Sequence, residues 1–345
     1  MKRLRVAVLT HEDCVPPQTL EGLDARQVLQ VRTEYDVVRA LETLGHAVQV
    51  VGLSAELEPI RRSVEEWQPQ VLFNLMMEFR DEGAFQVHLA SYLELLGLHY
   101  TGCSSRGILL SRDKELCKKI LRYHRIPTPA FAVFRRGRAL RRPAALRFPL
   151  IVKTVDEEAS LGISQASVVR DEQQLRERIT FVHERMSCDA LAEEYVQGRE
   201  LNVSMLGNQR LQILPVWEMV FEKLPEGSEP IATEHAKWDP VYQKRVGIDT
   251  RAADNLSDDV RARIARLARR AYRALGLCGY ARLDLRLDEQ DRVWVIEANA
   301  MPDVARAEDF AAAAAAAGLE YEALIQRILN LALRQPPRGP TRSSA

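Results

Sequence analysis

Apolar and polar positions along the N-terminal third of the chain follow two periods. "LRVAVLT" (4–10), "HAVQVVGL" (46–53) and "PQVLFNL" (69–75) are short apolar runs of the kind that buried strands show. Between the first two, "TEYDVVRALETLGH" has helical spacing and stops at Gly45, a residue suited to a left-handed helix end. Strand, helix and strand at this spacing predict a parallel sheet covered by helices. "GAFQVHLASYLELLGLHYTG" adds a helix and a short strand and closes a first domain at residue 102. No G-x-G-x-x-G follows the first strand, which argues against a Rossmann-type oxidoreductase.

The pattern then changes. "SRDKELCKKILRYHRIPTP" predicts one helix with Ser111 as its N-cap, stopped by Pro127 and Pro129. "RFPLIVKTV" is a strand, "DEEASLGIS" a loop, "EQQLRERITFVHERM" a helix, and "ALAEEYVQGRELNVSMLGN" ends in a strand pair. In "LSDDVRARIARLARRAYRALGLCG" the residues Val260, Ile264, Leu267, Ala271 and Leu275 form one helical stripe, capped at Gly276. The hairpin "YARLDLRLDEQDRVWVIEAN" follows, then closing helices in "FAAAAAAAGLEYEALIQRILNLAL" and a tail, "RQPPRGPTRSSA", whose composition predicts disorder.

Composition narrows the class. With 46% apolar and 28% charged residues the chain is ordinary globular protein, and 345 residues predict about two or three domains. Lys plus Arg and Asp plus Glu are equal at 48 each, so no bulk charge points to nucleic acid or to a membrane. The arginines on the 261–273 helix read as a solvated face. The start is basic with too short an apolar run for a signal peptide, and no stretch is long and apolar enough to span a bilayer. The 5 scattered cysteines contain no C-x-x-C, the pattern of a reduced, cytoplasmic protein.

Candidate chemistry centres on "VWVIEANAMPD". Glu297 and Asn299 share one face of a buried strand, where an ionised carboxylate needs a partner. The preceding strand places Asp284 opposite residue 295 or 297, on that same face in either register. Two carboxylates and an amide oxygen suit Mg²⁺; an ion pair of Glu297 with Arg282 or Arg286 is the structural alternative. Lys153 interrupts an apolar strand, and Lys114 sits in the first turn of its helix against the dipole. A polyphosphate would compensate both. Ser160, Gly162 and Ser164 could offer donors to phosphate, and Glu193, Glu194 and Glu200 could offer acceptors to a nucleoside.

In this order the motifs "RDKELCKKILRYHRIPTP", "FPLIVKTVDEEASLGIS", "LAEEYVQGRELNVSMLGN", "ARLDLRLD" and "WVIEANAMP" resemble the ATP-grasp carboxylate–amine ligases, most of all the D-alanine–D-alanine ligases. The resemblance implies an α/β, three-lobed ATP-grasp fold: a Rossmann-like parallel-sheet domain (1–102), then two α+β lobes clamping ATP (103–193 and 194–335), with 336–345 a disordered tail. It implies that Lys114 and Lys153 hold ATP phosphates with Ser160 in the phosphate loop. Glu193, Glu194 and the backbone through Val196 form the adenine hinge, and Glu200 takes the ribose. Asp284, Glu297 and Asn299 bind two Mg²⁺ ions, with Mn²⁺ a substitute; Arg282 stabilises the oxyanion and Lys237 belongs to a mobile segment. The implied partners are amino-acid or peptide substrates, with no nucleic acid or membrane; a homodimer is left open.

The departures bear on the substrate. The family's Gly-Ser-Ser phosphate loop reads Glu158-Ala159-Ser160, the glycine after Asn-x-x-Pro is Asp303, and "VARAEDF" lacks the serine that binds the second D-alanine. "THEDCVPPQTLEGLDARQ" replaces the N-terminal Gly-Gly and its acidic anchor. A ligase with substrates other than D-alanine is therefore expected. A nucleotide-binding protein that has lost catalysis is the competing reading.

Overall fold

The computed structural model describes residues 3–155, 162–233 and 239–335. In the first unit β1 (Arg5–His11), α1 (Ala25–Thr43), β2 (Ala47–Leu53), α2 (Glu58–Arg62), β3 (Val71–Asn74) and α3 (Gln86–Leu95) build a parallel sheet of order β2-β1-β3. Helix α1 begins well before the expected stretch because Asp24 caps it. The Asp24 carboxylate accepts from the backbone of Arg26 and Gln27 at 2.8 and 2.9 Å, and Gln27 Oε1 accepts from Asp24 N–H at 2.9 Å. The short strand expected near residue 100 is a single parallel bridge between Leu72 and Tyr100.

The predicted 111–126 helix is two helices, α4 (Ser105–Arg112) and α5 (Lys114–Tyr123). Ser111 is not the cap: its hydroxyl donates to Gly107 O inside α4 at 2.8 Å, and Asp113 caps α5 by accepting from Leu116 N–H at 2.8 Å. Next come β4 (Phe131–Phe134), β5 (Leu150–Thr154), β6 (Val168–Val169), α6 (Glu172–Arg185) and β7 (Ala190–Glu194), an antiparallel sheet of order β4-β7-β5-β6.

The last unit runs β8 (Arg199–Leu206), β9 (Gln212–Phe221), α7 (Pro240–Val246), β10 (Ile248–Ala252), α8 (Asp258–Ala274), β11 (Tyr280–Leu287), β12 (Val293–Asn299), α9 (Asp309–Ala316) and α10 (Tyr321–Arg334). Its sheet has the order β10-β9-β8-β11-β12. The strands expected as a pair around Gly198, β7 and β8, therefore belong to different sheets. Gly198 has φ 141°, and a Cβ there would sit 2.1 Å from Leu287 O, so only glycine lets the chain cross so close to β11.

Packing redraws two of the expected boundaries. Cys103, Ile108, Cys117, Leu121 and Ile126 join the core of the five-stranded sheet beneath α8, so residues 103–126 share a core with the third unit and not with the four-stranded sheet. Phe310, Leu324, Ile328 and Leu329 of the closing helices pack with Val6, Val8 and Phe73 of the parallel sheet. The four-stranded sheet keeps a small core of its own with α6. No helix among the described residues is long and apolar enough to cross a membrane.

Candidate active site

The four-stranded and five-stranded sheets face each other across a cleft with about 640 Å³ of open space. Lys153 on β5 and Glu193 and Glu194 on β7 line one side; Glu200 on β8, Asp284 on β11 and Glu297 on β12 line the other, with Val196 between. Ile151, Ile163, Ile231, Leu285 and Ile296 supply apolar walls. Ser160 and Lys237 lie outside the described residues.

Of the two registers open to the sequence, the hairpin takes the second: Asp284 pairs with Glu297 and Arg282 with Asn299. A bulge after Asp284 makes Leu285 pair with Val295, which turns the two carboxylates together toward the cleft mouth. Arg282 and Asn299 stand one step further along, beyond the cleft lining. The Arg282 guanidinium donates to both Asp284 oxygens, at 2.8 Å from Nε and 3.1 Å from Nη2. Burial alone would lower its pKa, but Asp284 outweighs that and holds it above the ordinary value. Arg286, 8% exposed in its side chain, binds Glu200 at 2.8 Å and the carbonyls of Gly198 and Pro230. Asp284 and Glu200 thus engage the two arginines considered as partners for Glu297. Asn299 Oδ1 accepts from Met301 N–H at 2.9 Å and closes the turn after β12.

Glu193 has two partners that the sequence left unnamed. Its side chain, 1% exposed, pairs through Oε1 with Lys153 at 2.7 Å and through Oε2 with Lys118 at 2.5 Å. Burial pushes the Glu193 carboxyl up, yet the two ammonium groups hold it below its ordinary range. Burial likewise pushes Lys153 down, and Glu193 and then Glu297 more than restore it. Lys118 escaped the sequence reading. Its signal was the spacing Lys114, Cys117, Lys118, Leu121, the buried face of α5, where a second lysine has no structural reason to sit without an anion. Lys114 is buried at the start of α5, and its backbone N–H donates to Val155 O at 3.4 Å.

Beyond Arg282, segment 303–309 meets α1. Asp303 accepts from Thr33 Oγ1 at 2.9 Å, Glu308 pairs with Arg32 at 2.5 Å, and Asp309 accepts from Asn202 Nδ2 at 3.0 Å. Arg306 turns away, paired with Glu322 at 2.6 Å and lying over the Tyr321 ring. Glu34 of α1 is buried with Thr10 Oγ1 at 3.2 Å, and burial, with a lesser push from Asp303, raises its carboxyl to about 7.

Two antiparallel sheets close on a cleft, with a lysine on one side and paired carboxylates on the other, which is the layout of an ATP-grasp fold. Comparison with known proteins identifies the branch. Residues 120–330 match the family model described as the D-ala D-ala ligase C-terminus. An uncharacterized protein of Sinorhizobium fredii is 33% identical over 316 residues, covering 89% of each chain. The D-alanine–D-alanine ligase of Gloeobacter violaceus is 32% identical over 334 residues, covering 96% of this chain and 100% of that protein. The fold matches the crystal structure of the Bacillus anthracis D-alanine–D-alanine ligase complexed with ATP at a TM-score of 0.73 and 20% identity, covering 96% of this chain and 98% of the other. The chain belongs to the D-alanine–D-alanine ligase family, and is an ATP-dependent ligase that forms a C–N bond.

Proposed function

We propose that the cleft holds ATP with its adenine along the backbone of residues 194–196, its ribose at Glu200 and its phosphates toward Lys153 and Lys114. What carries this reading is that Lys153 from one sheet and the Asp284–Glu297 pair from the other line the same cleft. Glu200 is already oriented by Arg286. Asp284, Glu297 and Asn299 offer only oxygen donors on one face of one hairpin, a set that fits Mg²⁺ and accepts Mn²⁺. When bound, the metal would neutralise charge on the transferred phosphoryl oxygens. Ser160 and Lys237 enter this proposal through the resemblance alone.

The chain's own groups then have distinct tasks. The substrate carboxylate takes the γ-phosphoryl group, ADP leaves, and the acyl phosphate loses phosphate as an amine attacks its carbonyl carbon. Arg282 spends Nε and Nη2 on Asp284, which fixes the guanidinium plane and leaves Nη1 to donate to the oxyanion formed in that attack.

For substrates we propose amino acids or peptides other than a D-alanine pair. Glu308 and Asp309 lie within electrostatic reach of Arg282, and Asp303 within reach of Glu308, while Arg306 is engaged by Glu322. This surrounding disfavours a second carboxylate and favours an ammonium group. The test is phosphate release from ATP across a panel of amino acids, dipeptides and amines, with mass analysis of products. Release that depends on an amine, with a matching condensation product, is expected. ATP binding without release for any pair would favour the non-catalytic reading. A cytoplasmic setting and a homodimer belong to the same proposal, the latter read by light scattering of the purified chain.

A further inference from the structure

The buried side chains of Lys118 on α5, Glu193 on β7 and Lys153 on β5 form a charge relay that ends at the nucleotide site. Lys118 is 2% exposed and does not line the cleft. Its ammonium forms an ion pair with Glu193 Oε2 at 2.5 Å and donates to Thr128 Oγ1 and to Ile296 O, each at 3.1 Å. The Lys118 ammonium is thus engaged by the protein on the side away from the cleft. Lys153 shares the same carboxylate through Oε1 at 2.7 Å, and Glu193 is the only ion-pair partner it has among the described residues. The remaining Lys153 donors are left for the cleft that it lines.

The arrangement is asymmetric in a way that matters. Two buried ammonium groups share one carboxylate, and Glu297 across the cleft adds a second, lesser attraction on Lys153 alone. Because Lys118 occupies one oxygen, Glu193 cannot take Lys153 with both. Without Lys118, Oε2 would be a buried carboxylate oxygen lacking its cation, and Lys153 would be drawn onto both oxygens, out of the cleft. Lys118 also joins the two lobes: its contacts run from Glu193 on the four-stranded sheet to Ile296, the residue next to Glu297 on β12. The neighbouring linker follows the same path, with Val295 N–H donating to Pro127 O at 2.8 Å.

We propose that Lys118 is a positioning residue for nucleotide binding, which occupies half of Glu193 and thereby keeps the Lys153 ammonium directed at the ATP phosphates. The inference rests on the cleft being the ATP site. The test measures the Kd of a non-hydrolysable Mg–ATP analogue and the melting temperature of the full chain. It compares wild type, Lys118→Met, and Lys118→Met combined with Glu193→Gln. The single variant should weaken binding about tenfold to a hundredfold, the scale of a lost charge-assisted contact. The double variant should regain most of that loss, because a neutral amide at position 193 no longer draws Lys153 away. A purely structural pin predicts the opposite, since the Thr128 and Ile296 contacts stay broken and the double variant should bind no better than the single; that result overturns the proposal. If the single variant does not fold, the charge-neutral double variant decides alone: near-wild-type Kd supports the relay, and a Kd as weak as that of Lys153→Ala overturns it. Lys153→Ala also separates the premises, because unchanged nucleotide binding in that variant defeats the cleft assignment and not the relay.

Discussion

Asp284 on β11 lies directly opposite Glu297 on β12, and the bulge immediately after Asp284 turns both carboxylates into the cleft that Lys153 enters from the other sheet. Two carboxylates facing each other across a strand pair repel unless a cation lies between or beside them. Arg282 supplies part of that compensation through Asp284, and Lys153 attracts Glu297 from the other sheet.

Glu297→Gln keeps the shape and removes the charge. Phosphate release should fall by about a hundredfold or more, since an electrostatic group at a phosphoryl-transfer site contributes on that scale. The melting temperature should stay within a few degrees. A large loss of thermal stability with turnover preserved would instead make Glu297 part of a structural ion pair.

Lys153→Ala should weaken ATP binding by about 2–3 kcal/mol, as expected for loss of a charge-assisted contact in a desolvated site. Calorimetry with a non-hydrolysable Mg–ATP analogue reads this directly. Wild-type affinity in the variant would remove Lys153 from the nucleotide site.

Glu34 gives the stability a pH dependence. Its carboxyl is raised from 4.5 to about 7 in the folded state, so between these values the folded chain binds the proton and the unfolded chain does not. Stability from this group is complete below pH ~4.5 and is lost as pH rises toward 7, by roughly 2–3 kcal/mol. Glu34→Gln should abolish that slope and be the more stable form at pH 8. Parallel chemical-denaturation curves for the two proteins across this range would contradict the assignment.

Substrate choice is tested by direct competition. D-alanine at sub-millimolar concentration should give little dipeptide, while a larger or more cationic amine acceptor should compete well, since burying an unmatched carboxylate beside Glu308 and Asp309 costs a few kcal/mol. Efficient formation of D-alanyl-D-alanine would defeat this substrate reading and leave the ligase assignment standing.

Local periodicity in the sequence determined which segments are strands and helices in the parallel unit, the stripe of α8, and the strand hairpin that carries the acidic pair. These depend on residues a few positions apart, whose spacing fixes which side chains share a face. The misfit of Lys153 and Glu297 with an apolar setting was likewise legible, because burying a charge without a partner is costly wherever the partner lies. Only the tertiary structure decided the partners. The pairing of Lys118 with Glu193 joins α5 to a strand of another sheet, and Lys118 with Ile296 O spans 178 positions. The choice between residues 295 and 297 opposite Asp284 turned on one bulge, and the core that 103–126 joins turned on which sheet α8 covers. Such choices follow from packing and charge compensation between elements distant along the chain, which no local pattern encodes.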